Sequence, residues 1–439
     1  MCSAETTPAI GGCRPPAPAV GGCHPPIRRL AVLSMHTSPL AQPGTGDAGG
    51  LNVLVAQTAD RLARRGIEVD VFTAAGSPDA PPAVPLGSGV VVHHVPGVSP
   101  GRVDSDPTER LVLFARGVER ALHGRSVDLV HSHYWLSGLV GLAVAGRWRV
   151  PLVHSAHTLG RVKNAAASPG DKPEPPERIL GEEQLAQRAD RLVAATRVEA
   201  AEWADLYGAD PGRVLVIPPG VDTEVFRPGD TVGRLADRDA LGLAVDEVVI
   251  AFAGRIQPHK GPSVLVKAVG ELRRRHPERR WRVLVVGGQS GSDHSEVDRL
   301  ADLAARDGIG DAVQIIPAMP PSGLAHVYRA VDAVAVPSRS ESFGLVSLEA
   351  QAAGTPVVAA AVGGLPIVVQ DGVTGVLVDG YEAADWADAL ASVVLDRARR
   401  DVLGAAAHQR AQRFSWEATV DRLLDGYAAA VAGRAVVRA

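Results

Sequence analysis

Cysteine is nearly missing from this chain of 439 residues: all three stand among the first 27 positions, as Cys2, Cys13 and Cys23. The body of the protein therefore owes nothing to disulfides, which suits a cytoplasmic location. No run approaches the roughly 18 apolar residues of a membrane helix, so no stable membrane insertion is expected. An excess of one charge is missing too, since 45 Lys and Arg stand against 49 Asp and Glu, a formal net charge of −4. That balance excludes a surface built to coat nucleic acid. It leaves room for local cationic spots that bind a small phosphate.

What is present is an ordinary globular balance, 46% hydrophobic and 21% charged. The length suits two domains better than one. Residues 1–27 repeat a Gly-Gly-Cys-Xaa-Pro-Pro phrase at 11–16 and 21–26. Their Pro and Gly content, without the continuous apolar core of a signal peptide, reads as a disordered tail. Metal binding by the repeated cysteines is the lesser alternative.

From Arg29 onward the pattern alternates between strand and helix. Arg29–Leu33 is a short apolar strand; a helix follows from about Gly50 to Arg65, closed by Gly66. Ile67–Phe72 alternates as a second strand, which makes a right-handed βαβ unit. Further strands are expected at Val90–His94, Leu129–His131, Leu152–His154, Leu192–Ala195 and Val214–Ile217. Pro218-Pro219-Gly220 and Phe226-Arg227-Pro228-Gly229 read as a linker. The alternation resumes at Val248–Phe252, Val283–Val286, Val313–Ile316, Ala333–Val336 and Val357–Ala360. The expected organisation is a first Rossmann-like domain over 28–225, a second over 226–412, and a final helix over 413–439, around Trp416 to Ala430, packing back toward the first domain. Both domains are doubly wound α/β layers, so chemistry is sought in the loops at the carboxyl ends of their strands.

One motif misleads. Gly44-Thr45-Gly46-Asp47-Ala48-Gly49 matches the dinucleotide fingerprint, yet ten residues separate it from Leu33. The second strand also ends on Thr73-Ala74 where an acid should hold a ribose. No redox cofactor is expected, and the glycines are better suited to letting backbone amides approach a phosphate or sugar.

Two segments of the second half carry chemistry. Gly254-Arg255-Ile256-Gln257-Pro258-His259-Lys260-Gly261 places two cations on a loop beside the start of a helix, where they could neutralise a diphosphate without metal. Pro337–Ala350 also follows a strand and opens a helix. There Glu341 could accept from sugar hydroxyls, and Glu349, in an otherwise apolar helix, wants a hydroxyl partner such as a ribose.

The Gly-Arg-x-x-x-x-Lys loop, with Glu341 and Glu349 eight positions apart, resembles glycosyltransferase family 4. His36–Asn52, His131–Gly138 and Ala156-His157-Thr158 with Val162-Lys163-Asn164 are similar to the D-inositol 3-phosphate glycosyltransferases of mycothiol biosynthesis. The resemblance spans residue 28 to the end. It implies the GT-B architecture, two Rossmann-like domains facing across a cleft, with 28–225 as the acceptor domain and 226–412 as the nucleotide-sugar domain. The implied reaction is retaining transfer of N-acetylglucosamine from UDP-GlcNAc to 1D-myo-inositol 3-phosphate, an early step of mycothiol biosynthesis. Its rivals are a paralogous enzyme using an unphosphorylated acceptor in a secondary-metabolite pathway, and a silent sugar-binding protein.

The resemblance also implies the site. Arg255, Lys260, Glu341 and Glu349 would hold the donor, with Gln42, Pro43 and Gly50 beside it, Ala318 on the uracil and His157 on the donor sugar. His36, the loop Asp47-Ala48-Gly49-Gly50-Leu51-Asn52, Tyr134, Thr158 and Arg178 would hold the acceptor. Arg255, Lys260 and His157 would be the catalytic residues. The family's lysine after the third strand is missing: that loop reads Gly101-Arg102-Val103-Asp104-Ser105-Asp106-Pro107. Arg102 is the candidate substitute, against repulsion from Asp104 or Asp106. A structural magnesium ion would sit on backbone oxygens of Tyr328, Arg329, Val331 and Thr355, and a homodimer is the candidate assembly. His131 and His133 could share zinc only with a third ligand, and none is visible at metal spacing.

Overall fold

The computed structural model describes residues 27–98, 107–167, 173–288 and 295–438. The cysteine-bearing segment and the 99–106 loop, with Arg102, Asp104 and Asp106, lie outside the described residues.

Two sheets organise the chain. The first has eight strands, ordered from edge to edge Ala83–Pro85, Val90–Val95, Glu68–Ala74, Arg29–Leu33, Leu129–His133, Leu152–Ser155, Arg191–Ala194 and Val214–Val216. The second has six: Val313–Ile316, Arg280–Val286, Glu247–Ala253, Ala333–Val336, Val357–Ala360 and Gly375–Val378. Pairing is parallel throughout except at Ala83–Pro85, an antiparallel edge. Helices cover both faces, so central strands such as Leu129–His133 and Glu247–Ala253 are buried along their whole length, as parallel sheets require.

Every expected strand is present with small shifts at its ends. Two others, Ala83–Pro85 and Gly375–Val378, are only three and four residues long, too short to show a period. The first helix spans Gly50–Arg64. Past its end the Gly66 amide bonds the Ala63 carbonyl at 2.9 Å and the Ile67 amide bonds Leu62 at 3.3 Å. That pair of bonds needs a left-handed residue, and Gly66 supplies it with φ +86°.

The last helix, Trp416–Arg438, is longer than expected and lies on the first domain. Val420, Leu423, Tyr427 and Ala430 are buried in the core under the first sheet. Arg61 Nε holds Glu417 Oε1 at 2.9 Å, Arg434 Nε holds Asp190 Oδ1 at 2.8 Å, and the Tyr427 hydroxyl meets His131 Nδ1 at 2.7 Å. The chain crosses between domains so tightly at Gly220 that a Cβ there would stand 2.3 Å from the Trp416 amide nitrogen. Among the described residues no helix is long and apolar enough to cross a membrane.

Candidate active site

In doubly wound sheets the binding crevice opens where the strand order reverses. In the first sheet that point lies between Arg29–Leu33 and Leu129–His133; in the second, between Glu247–Ala253 and Ala333–Val336. The loops leaving these four strands carry His36, Tyr134, Arg255 with Lys260, and Glu341. The two domains touch across them. Gln42 Nε2 donates to the Met319 carbonyl at 2.8 Å, the Gly288 amide donates to the Gly44 carbonyl at 2.8 Å, and the Ser342 hydroxyl donates to the His157 carbonyl.

On the donor side both cations already face carboxylates. Lys260 Nζ is 2.8 Å from Glu341 Oε2, and Arg255 Nη1 is 4.0 Å from Asp47 Oδ1 of the opposite domain. The Glu341 loop is pinned from beneath by Gly363-Gly364: the Gly364 amide donates to the Glu341 carbonyl at 2.9 Å, and a Cβ on Gly363 would stand 2.0 Å from that oxygen. The helices starting at Gly50 and Leu345 meet end to end across the cleft, since a Cβ on Gly50 would lie 3.2 Å from Leu345 Cδ1. Two positive helix ends and two side-chain cations therefore converge, the electrostatic setting a diphosphate favours. Glu349 lies just over one turn into the Leu345–Ala352 helix rather than the two turns expected. Its Oε2 accepts from the Tyr328 hydroxyl at 3.2 Å, and burial pushes its pKa up to about 7 against the pull of that bond. Ala318 packs on Gly44, and the Pro43 carbonyl accepts from Gln42 Nε2 at 3.2 Å.

On the acceptor side Arg178 is fully buried. Its Nη1 donates to the Tyr134 hydroxyl at 3.1 Å, and its Nη2 to Thr158 Oγ1 at 2.9 Å. Each hydroxyl, accepting from the guanidinium, keeps its own hydrogen to donate onward. The His36 ring lies 4.8 Å from the Tyr134 ring. Burial lowers the pKa of His36, Asp47 opposes this, and Arg255 and Arg178 lower it further. Within the 47–52 loop the side chains play different parts. Ala48 is buried and its carbonyl accepts from the Gly44 amide at 3.0 Å, while Leu51 packs against the first-domain core. Asn52 spends its amide inside the fold, donating to Thr37 Oγ1 at 2.8 Å and accepting from the Gly49 amide at 2.9 Å. It shapes the loop, and Asp47, Gly49 and Gly50 are left at the cleft.

Four histidines gather at the same edge of the sheet. His131 is held by Tyr427 and by Ser155 Oγ at 2.9 Å, and His154 Nδ1 by Ser132 Oγ at 2.9 Å. His133 Nδ1 pairs with His157 Nε2 at 2.9 Å. Burial holds all four neutral at neutral pH: His131 and His154 are lowered to about 3, His157 to about 4, and His133 well below its usual value. These partners are hydroxyls and another imidazole, so the rings form a hydrogen-bonded set rather than a zinc site. His157 itself is strained, with φ +65°.

Comparison with known proteins agrees with this geometry. Residues 48–225 match the Glycosyltransferase Family 4 domain and residues 233–410 match glycosyl transferases group 1. A D-inositol 3-phosphate glycosyltransferase from Actinosynnema mirum is 54% identical over 91% of this chain and 97% of its own length. The enzyme of that name from Mycolicibacterium smegmatis is 53% identical, covering 92% of each chain. The chain belongs to the D-inositol 3-phosphate glycosyltransferase family. Sucrose-phosphate synthase from Thermosynechococcus elongatus, 30% identical, superposes with a TM-score of 0.83 over 90% of this chain and 97% of that one. An Anabaena protein solved with UDP and glucose, 20% identical, has a TM-score of 0.73 over 91% and 98%, and shows the shared fold.

As a member of this family the chain is a hexosyltransferase with the GT-B arrangement of two Rossmann-like domains. The oxygens suggested for magnesium fit a hard cation. Tyr328, Arg329 and Val331 form the carbonyl-rich end of the Pro321–Ala330 helix, where the helix dipole is negative. Val331 and Thr355 line a cavity of about 490 Å³. The Tyr328 carbonyl, one of those backbone oxygens, already accepts from Thr355 Oγ1 at 2.5 Å.

Sequence reasoning missed the partners: Glu174 and Glu182 around Arg178, His133 behind His157, and Ser342 bridging to His157. Only the first left a sequence signal, the four-residue spacing of Glu174, Arg178 and Glu182, which puts all three on one helical face.

Proposed function

We propose that this transferase moves N-acetylglucosamine from UDP-GlcNAc to 1D-myo-inositol 3-phosphate with retention, an early step of mycothiol biosynthesis. The observation that carries the reading is the meeting of two charged clusters at one cleft: Arg255 faces Asp47 of the first domain at 4.0 Å, and His36, from the same loop as Asp47, contacts Tyr134, which Arg178 holds at 3.1 Å. A sugar phosphate bound at Arg255 and Lys260 thereby adjoins an acceptor bound at Tyr134 and Thr158. The names of the relatives and the UDP in a structural neighbour support the two substrates.

The donor diphosphate replaces Asp47 and Glu341 as partner of the two cations, freeing Glu341 to accept from sugar hydroxyls. Glu349 takes the ribose and His157 the N-acetylglucosamine. In a front-face substitution the acceptor oxygen bonds to the anomeric carbon on the face from which the phosphate oxygen leaves. The acceptor proton passes to that departing phosphate, whose charge Arg255 and Lys260 stabilise. Contact between the domains excludes water and limits donor hydrolysis. A magnesium ion on Tyr328, Arg329, Val331 and Thr355 would be structural, bracing the turn behind Tyr328 and Glu349.

A second reading, an unphosphorylated acceptor, is favoured by one observation: carboxylates flank Arg178 on both sides. UDP release from UDP-GlcNAc with inositol 3-phosphate, against myo-inositol, separates the two. Faster release with the phosphate supports the first reading; equal or faster release with myo-inositol favours the second.

A further inference from the structure

The five N–H donors of Arg178 are all engaged. Nε donates to Glu182 Oε1 at 2.7 Å, and Nη2 to the Thr158 carbonyl at 2.7 Å and its hydroxyl at 2.9 Å. Nη1 donates to the Tyr134 hydroxyl at 3.1 Å and to Glu174 Oε2 at 2.8 Å. An anion that binds Arg178 must therefore take the place of one of these partners. Glu182 is 1% exposed and also accepts from the Gly160 amide at 2.9 Å and from the Tyr207 hydroxyl, so it is locked in the fold. The Thr158 carbonyl is backbone, and the two hydroxyls are the groups that would face the acceptor. Glu174 differs from all of them. Its side chain is 16% exposed, and its carboxylate bridges two cations, Arg178 Nη1 and Lys163 Nζ.

The backbone at Glu174 is held without help from that carboxylate. Lys163 stands on the short helix Gly160–Ala165, which opens just after Thr158, and the neighbouring Asn164 Oδ1 accepts from the Glu174 amide at 2.7 Å. The carboxylate can turn outward while this bond keeps the chain in place. What it would leave behind is a set of four donors: Lys163 Nζ, Arg178 Nη1 and the hydroxyls of Tyr134 and Thr158. Two cations with two hydroxyls suit a phosphate monoester. The monoester brings close to two negative charges at neutral pH against the single charge of a carboxylate, so the same cations attract it more strongly. The donor side has a parallel, since Lys260 and Arg255 also face carboxylates, Glu341 and Asp47.

We propose that the Glu174 carboxylate keeps the place of the acceptor's phosphate, and that the phosphate displaces it to bridge Arg178 and Lys163. This rests on the reading of the acceptor as a cyclitol phosphate monoester. Lys163 then supplies a lysine cation that the sequence of residues 101–107 lacks. Glu174 makes the site selective, because an uncharged cyclitol has nothing to offer two cations in exchange for a carboxylate.

The test is calorimetric binding of inositol 3-phosphate and of myo-inositol to the full chain in the presence of UDP, read as the ratio of their dissociation constants. Glu174→Gln keeps the shape of the side chain and removes the competing charge. It should tighten inositol 3-phosphate by about tenfold, the scale of one charge-assisted contact that no longer has to be displaced, and raise the preference over myo-inositol. Lys163→Met, which keeps the apolar stem in place, should weaken inositol 3-phosphate by about ten- to a hundredfold, and Lys163→Arg should recover part of that loss. Matching thermal unfolding of the variants controls for folding. A carboxylate that serves only to hold Arg178 gives the opposite sign: weaker inositol 3-phosphate binding in Glu174→Gln would overturn the proposal. Undiminished binding in Lys163→Met, or changes shared equally by both ligands, would overturn it as well, and each of these results leaves the acceptor reading intact. Wild-type protein that binds the two cyclitols equally would overturn the acceptor reading, and the proposal with it.

Discussion

His133 Nδ1 and His157 Nε2 stand 2.9 Å apart and share one proton between two neutral rings. The pairing leaves Nδ1 as the remaining polar atom of His157, and the Ser342 hydroxyl holds the His157 carbonyl from the opposite domain. A ring in a left-handed backbone position is thus fixed from both ends.

Removing that support tests whether His133 positions His157. His133→Leu should lower kcat/KM for UDP-GlcNAc by about tenfold, the worth of one hydrogen bond near its upper range. His133→Asn, whose amide reaches the Nδ1 position, should keep most of the activity. If Leu and Asn lose equally, packing rather than the hydrogen bond is what His133 provides.

Lys260 is paired with Glu341 before any donor arrives. In Lys260→Ala the charge that grows on the departing phosphate loses one of its two cations. Turnover should drop by about a hundredfold or more, on the scale of a lost preorganised donor. A steady-state kcat within a few-fold of wild type would remove Lys260 from the mechanism.

Glu349 can accept from both ribose hydroxyls through both of its oxygens, in charge-assisted bonds, only when ionised, and burial raises its pKa to about 7. UDP affinity should therefore strengthen as pH rises through about 7 and weaken below it. Glu349→Gln should bind UDP weakly with a flattened profile. Titrations at pH 6 and 8 that give one dissociation constant for the wild type would contradict the assignment.

Acid should unfold this protein early. His131 and His154 are lowered in the fold to about 3, His157 to about 4 and His133 well below its usual value, whereas unfolded imidazoles protonate near 6.5. Their contribution is complete above about pH 6.5 and is lost as pH falls toward the folded values, by about 1.4 kcal/mol per pH unit for each ring. Glu199 and Glu349, pushed up to about 7 by burial, act oppositely: their share is present at low pH and lost as pH rises through about 7. Four rings outnumber two carboxylates, so the denaturant midpoint should be clearly lower at pH 5 than at pH 7. A midpoint unchanged or higher at pH 5 would show that the rings are not buried neutral.

Much of this molecule is legible in one dimension because its determinants are local. Short apolar strands followed by helices report a parallel sheet covered on both faces, and Gly66 marks a helix end since only glycine adopts the needed conformation without strain. Cations after one strand and acids after another point to a donor site, because chain order alone places them at carboxyl edges. The rest depends on residues remote in sequence. Whether Asn52 meets a ligand or the Thr37 hydroxyl, whether Arg178 has donors left after Glu174 and Glu182, and which ring orients His157 are decided by contacts between separate elements. The sequence by itself determined the two wound domains and the list of charged side chains at their edges. Only the tertiary structure decided which charges are already matched, because neutralisation depends on distances of a few ångströms that spacing along a chain does not encode.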